Sequence, residues 1–138
     1  MPRFSLIVAT LGRTTELKRL LSSLTMQQCS DFEVLIVDQN HDDRLVPLLN
    51  QFDLKIIHLR SAAGVSLARN VGYAHAKGEI VAFPDDDCWY YPELLANVDR
   101  WFHDHSAYSI FTVGAVDEEG VPSGNRWLQD SCDLHPIN

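Results

Sequence analysis

The chain has 138 residues, 46% apolar and 22% charged, which is enough for one domain with a core of its own. A net charge of -8 and the lack of any Lys/Arg cluster in the sequence argue against a nucleic-acid surface. A phosphate-bearing ligand stays compatible with that charge if a metal ion supplies the positive side.

No apolar run approaches the ~20 residues that cross a bilayer. Cys29, Cys88 and Cys132 are odd in number and widely spaced, so they read as reduced thiols of a cytoplasmic protein rather than a zinc site. The opening FSLIVAT (4–10) stops after seven residues, short for a signal-peptide core, and reads as a buried first strand. Next comes a helix with Leu17, Leu20, Leu21 and Leu24 at i, i+3, i+4, i+7, Thr14 as N-cap and Glu16 in its first turn. FEVLIVD (32–38) is a second strand. DDRLVPLLNQF carries Leu45, Leu48, Leu49 and Phe52 at helical spacing, with Pro47 in the first turn.

KIIHLR (55–60) is a third strand, followed by a helix in SLARNVGYAHAKG with Leu67, Val71 and Ala74 on one side and Gly78 as its C′ stop. EIVAFPD (79–85) is a fourth strand. The following helix takes Pro92 at N1 and Leu94, Leu95, Val98, Trp101 and Phe102 as its stripe, with His103 and His105 at its polar end. SIFTVGAV (109–116) is a fifth strand, and the pattern fades from residue 117. The alternation predicts an α/β fold, a three-layer α/β/α sandwich on a mainly parallel sheet. Residues 1–116 form the core, and 117–138 an irregular tail or the start of a further part.

In such a sheet, ligands bind outside the carboxyl ends of the strands. Those ends carry Thr10 with Gly12 and Arg13, then Asp38 with Gln39 and Asn40, then Asp85, Asp86 and Asp87. A dinucleotide site needs GxGxxG after the first strand, where ATLGRTTE has one glycine, and no Walker A loop is present. The aspartate triplet has three readings: a solvated turn, a helix cap, or metal ligands. A cap needs one aspartate. In an extended stretch Asp85 and Asp87 point the same way and reach a hard cation such as Mg²⁺ or Mn²⁺, which can also bridge a diphosphate.

SLIVATLGRTTELKRLLSSL, EVLIVDQNHDD and AAGVSLARNVGYAHAKGEIVAFPDDD with the WYYPELL that follows resemble family 2 glycosyltransferases of the GT-A fold, from about residue 3 to 116. The resemblance implies a Rossmann-like nucleotide-diphospho-sugar transferase core. It places Thr10 and Arg13 of the Thr-x-x-Arg loop beside the nucleotide, Asp38 on the base and Arg69 near the phosphates, against the plainer reading of Arg69 as a helix-surface residue. Asp85, Asp86 and Asp87 match the DxD motif, with Asp87 first for metal contact, Asp85 as its companion ligand, and Asp85 or Asp86 facing the ribose or donor sugar. The chain departs from the family at Asp38-Gln39-Asn40-His41, where Asp-Asp-Gly-Ser is frequent, at Ala9 and at Cys88. These departures bear on which nucleotide is read.

The implied activity is inverting, metal-dependent transfer from a UDP-, GDP- or dTDP-sugar to an unknown sugar or lipid-linked acceptor, with Mn²⁺ or Mg²⁺ as cofactor. It would take place in the cytoplasm or at the cytoplasmic face of a membrane. The catalytic base is unassigned among Asp117, Glu118, Glu119, Asp130 and Asp133. A non-catalytic nucleotide-sugar-binding module is the main alternative. A nucleotidyltransferase would need a Gly-rich first loop, and a metal-dependent phosphohydrolase would leave Asp38 and Arg69 unexplained.

Overall fold

A computed structural model describes residues 1–123. The elements run β1 (Phe4–Thr10), α1 (Thr15–Thr25), β2 (Phe32–Asp38), α2 (Val46–Leu49), β3 (Ile56–Arg60), α3 (Val65–His75), β4 (Ile80–Ala82) and α4 (Leu94–Asp104). The four strands form one sheet in the order β3-β2-β1-β4, and every pair is parallel. Strand and helix alternate as the sequence implies.

Side chains of a strand point alternately to its two faces, so each central strand feeds two cores. On one face Phe4, Leu6 and Val8 of β1 and Phe32, Val34 and Ile36 of β2 pack with Leu17, Leu20, Leu21 and Leu24 of α1, Leu48 and Leu49 of α2, and Leu95 of α4. On the other, Ile7, Leu35 and Val37 meet Ala68 of α3. Three layers result. β1 and β2 are buried on both faces, which is why they read as near-continuous apolar runs.

Several elements differ from the sequence reading. The face of α3 that meets the sheet is Ala68, Val71 and Gly72, while Leu67 is 49% exposed and Ala74 is exposed too. Close approach selected the small side chains: a Cβ on Gly72 would collide with Ile7 and lie 3.1 Å from the Val37 methyl. Gly78 is not a helix stop, because α3 ends at His75. It lies against β1, where a Cβ would come within 2.6 Å of the Phe4 carbonyl carbon. Pro92 precedes the N-cap Glu93 rather than standing at N1, and its carbonyl accepts the Gln28 N–H at 2.8 Å. The fourth strand is three residues long.

The expected strand over 109–116 is absent from the described residues. Its Ile110 is 77% exposed and Val113 45%, and a strand needs a neighbour's ladder to satisfy its backbone. The segment's pairing is an isolated bridge between Val116 and Pro122. Asp130, Asp133 and Cys132 lie outside the described residues.

At the amino end of β2, Glu33 is fully buried. It accepts the Ser5 hydroxyl at 2.7 Å and the Lys77 N–H at 2.9 Å, and the Lys55 ammonium lies 3.2 Å away. Burial pushes its carboxyl up, but Ser5, Lys77 and Lys55 more than offset this and hold it below its ordinary 4.5. A lowered carboxyl adds stability that is complete above the ordinary value and lost as pH falls through the folded one.

Two outcomes follow from this packing. Gly72→Ala is expected to cost about 1–3 kcal/mol in urea unfolding, through overpacking against Ile7 and Val37. Glu33→Gln is expected to be about 1–3 kcal/mol less stable near neutral pH. In urea titrations across pH, that gap should close below the ordinary carboxylate range.

Candidate functional site

Parallel pairing sends every strand's carboxyl end to one edge. Thr10, Asp38 and Arg60 stand in a single row there, through the Thr10–Asp38 and Asp38–Arg60 register pairs. Asp38 is fully buried. Its Oδ1 accepts the Asn40 N–H at 2.9 Å and the Asn40 side-chain amide at 2.7 Å. Its Oδ2 lies 2.9 Å from His58 Nε2 and 3.1 Å from Arg60 Nη1. These partners occupy the roughly four lone-pair sites of a carboxylate.

His58 and Arg60 were missed in the sequence. Arg60 closes the third strand, so the same strand-end rule reaches it, and His58 is two residues earlier on the same face. Arg60 also donates to the Asn40 carbonyl at 3.1 Å, the Asp42 carbonyl at 2.8 Å and the Asp43 carboxylate at 2.6 Å. It therefore shapes the turn after β2.

Gln39 and Asn40, the departures from the family's usual pair, tie neighbouring loops together. Asn40 Oδ1 accepts the Gly12 N–H at 2.8 Å, and Gln39 Oε1 accepts the Gly64 N–H at 2.7 Å. The Gln39 N–H reaches the Thr10 carbonyl at 3.0 Å. The loops after β1, β2 and β3 are thus one hydrogen-bonded unit.

The aspartates occupy a turn rather than an extended stretch, closed by the Cys88 N–H on the Asp85 carbonyl at 3.2 Å. The turn separates their roles. Arg13 Nη1 bridges Asp86 at 2.8 Å and Asp87 at 2.5 Å. Asp85 faces away and pairs with Arg69 at 3.1 Å. Arg19 donates to the Asp87 carbonyl at 3.0 Å, with its guanidinium 4.3 Å over the Trp89 ring.

Asp86, and after it Asp87, raises the Arg13 guanidinium further above its ordinary value. The Cys88 thiol is pushed up to about 11 by burial and then by the Asp85 charge, which keeps it protonated and unreactive at neutral pH. Beside the Arg69–Asp85 pair lies an open cleft of about 380 Å³ lined by Ser66, Arg69, Asn70, Tyr73 and Phe83.

Of the residues singled out in the sequence, Arg13, Asp86 and Asp87 are joined directly and Arg69 is joined to Asp85. Thr10 touches this group through the Arg13 carbonyl, at 3.5 Å. Asp38 is turned toward β3. Of the downstream acids, Asp117 accepts the Glu119 and Val121 N–H groups within its own turn, and Glu118 is 3.4 Å from Arg19.

A divalent cation fits the 86–87 turn on the chemistry of its donors. Carboxylate oxygens are the hard ligands that Mg²⁺ and Mn²⁺ prefer, and two of them already converge on a positive group. Among the described residues no three acidic, His or Cys side chains form a ready-made cage. Protein ligands few in number leave positions for water and phosphate, the usual arrangement for Mg²⁺.

The glycosyl transferase family 2 profile matches residues 5–132. The chain is 39% identical over 95 residues to an uncharacterized glycosyltransferase of Haemophilus influenzae, covering 68% of this chain and 32% of that protein. It is 31% identical over 130 residues to the poly(ribitol-phosphate) beta-N-acetylglucosaminyltransferase TarS of Staphylococcus aureus, covering 88% of this chain and 23% of TarS.

The crystal structure of TarS 1–349 in complex with UDP-GlcNAc superposes with a TM-score of 0.68 at 27% identity, over 75% of this chain and 32% of that one. The mannosyltransferase PcManGT of Pyrobaculum calidifontis, in complex with GDP-Man and Mn²⁺, does so with a TM-score of 0.66 at 28% identity, over 83% and 34%. The chain therefore spans about a third or less of the length of these relatives. With its parallel sheet and the family profile running along nearly its whole length, the chain belongs to the family 2 glycosyltransferases and has the GT-A fold.

Proposed function

We propose that this chain is the donor-binding portion of a glycosyltransferase that uses a nucleoside-diphosphate sugar and a divalent cation. The observation that carries the reading is the convergence of Asp86 and Asp87 on one cationic group, at the strand edge that also holds Thr10 and Asp38. The UDP-GlcNAc and GDP-Man complexes of its structural relatives support the donor class, and the Mn²⁺ of PcManGT supports the cation.

When bound, such a cation neutralises charge on the leaving diphosphate, an effect worth several kcal/mol in general. Arg13 and Arg69 add positive charge beside that position. Thr10 and the knitted loops present a rigid wall to the nucleoside. Asp38, saturated by Asn40, His58 and Arg60, holds that wall in place and meets the base by exchanging one of these partners. Inverting displacement on an acceptor hydroxyl needs a base. We place the chemistry at the cytoplasmic side, with an acceptor of unassigned class.

A second reading, binding without turnover, is favoured by one observation. Asp117 is hydrogen-bonded within its own turn and Glu118 is paired with Arg19. Release of sugar or its transfer to an acceptor separates the two readings.

The shared claim is tested by thermal unfolding. UDP or GDP at about 100 times its Kd, with Mn²⁺ or Mg²⁺ present, is expected to stabilise the chain by about 2.7 kcal/mol, which for this size is on the order of 5–10 °C. Without the cation the shift should vanish, and in Asp87→Ala it should be lost. No shift with UDP, GDP or dTDP under any of these conditions would count against donor binding.

A further inference from the structure

Asp86 is nearly buried, with 10% of its side chain exposed, and Arg13 is its ion-pair partner among the described residues. A buried carboxylate left without a cation or donor is costly, so Arg13 serves as counter-ion to Asp86 and, through the same nitrogen, to Asp87. That nitrogen stands where a cation shared by the two carboxylates would stand. Guanidinium and a divalent ion cannot both hold these oxygens at such distances, because like charges repel.

The surroundings are built for an exchange. Arg19 holds the Asp87 carbonyl and stacks on Trp89, so the turn keeps an anchor that does not depend on the carboxylates. Arg69 neutralises Asp85 separately. Gly12, next to Arg13, sits at φ 71° with open space around it and is pinned by Asn40. The Arg13 side chain is itself half-exposed, so it can swing from a fixed loop base without unpacking anything.

We propose that Arg13 is an exchangeable internal counter-ion: it holds Asp86 and Asp87 when no divalent cation is bound, and passes to the phosphate oxygens of the donor when one binds. This rests on the donor-binding reading above. Metal and nucleotide then help each other to bind, since the phosphates draw Arg13 away and free both carboxylates for the cation. Reciprocity makes the same factor appear in both affinities. A chain without a donor is guarded against taking up metal.

The experiment is Mn²⁺ titration, followed by the electron paramagnetic resonance of free Mn²⁺, on the wild-type chain, Arg13→Gln, Arg13→Lys and Lys18→Gln, each with and without UDP or GDP. Arg13→Gln is expected to bind Mn²⁺ alone about tenfold more tightly than wild type, since two ion pairs no longer compete. The gain in Mn²⁺ affinity caused by nucleotide should shrink by a similar factor. Arg13→Lys, which keeps the charge, should stay near wild type. Lys18→Gln removes an equal charge from the exposed side of α1 and none of the bonds at the turn, and should leave Mn²⁺ affinity within a few-fold of wild type.

Arg13→Gln binding Mn²⁺ no more tightly than wild type, with its circular dichroism unchanged, overturns the proposal. So does equal tightening in Lys18→Gln, which would reveal a general field effect. Failure of every form to bind Mn²⁺ even with nucleotide would instead bring down the donor-binding reading, and the counter-ion proposal with it.

Discussion

β1 and β2 lie side by side, parallel, with Phe4 opposite Phe32 and Thr10 opposite Asp38. That pairing fixes the two faces of the sheet, since a slip of one residue would turn every apolar side chain of β2 to the wrong core. It also fixes the ends. At the amino end Ser5 and Glu33 meet, and their hydrogen bonds to Lys77, with Ser5 also reaching Gly78, set the start of β4 against β1. At the carboxyl end Thr10 and Asp38 meet, and the loops that follow them have one place to go.

From that edge the electrostatics follow. A chain with net charge -8 and 11 Lys and Arg residues in all gathers Arg13, Arg19 and Arg69 around three adjacent aspartates, from a loop, α1 and α3. No basic cluster exists along the sequence, so the fold alone assembles it. The mutual repulsion of the triplet is relieved by distributing its members: Asp86 and Asp87 to Arg13, Asp85 to Arg69. Asp38 is treated differently, with neutral donors and His58 and Arg60 around it inside the protein. The edge thus has an interior carboxylate in Asp38 and, in the triplet, the nearly buried Asp86 beside the more exposed Asp87 and Asp85.

Much of this was legible because it depends on local periodicity. The leucines of α1 and the apolar runs of β1 and β2 are buried where their spacing put them, and the strand-end rule found Thr10, Asp38 and the triplet. What escaped depends on neighbours far away in the chain. Leu67 looked like core, yet Ala68 and Gly72 face the sheet because α3 comes too close for larger side chains. The 109–116 segment has strand-like residues and no ladder to join within the described residues. His58 and Arg60 carry no motif, and their importance appears when β3 is set beside Asp38. The turn at Asp85–Asp87, closed by Cys88, replaced the extended geometry that would have paired Asp85 with Asp87.

The central claim is that this edge holds a nucleoside diphosphate through a cation at the 86–87 turn. A crystal structure of the chain grown with Mn²⁺ and UDP or GDP tests it most directly, through the anomalous signal of manganese. The account predicts a peak bonded to an Asp87 carboxylate oxygen and a phosphate oxygen, with the nucleoside against Thr10 and Asp38 and Arg13 turned toward the phosphates. A nucleotide bound elsewhere, or manganese away from the turn while Arg13 still bridges Asp86 and Asp87, would contradict it.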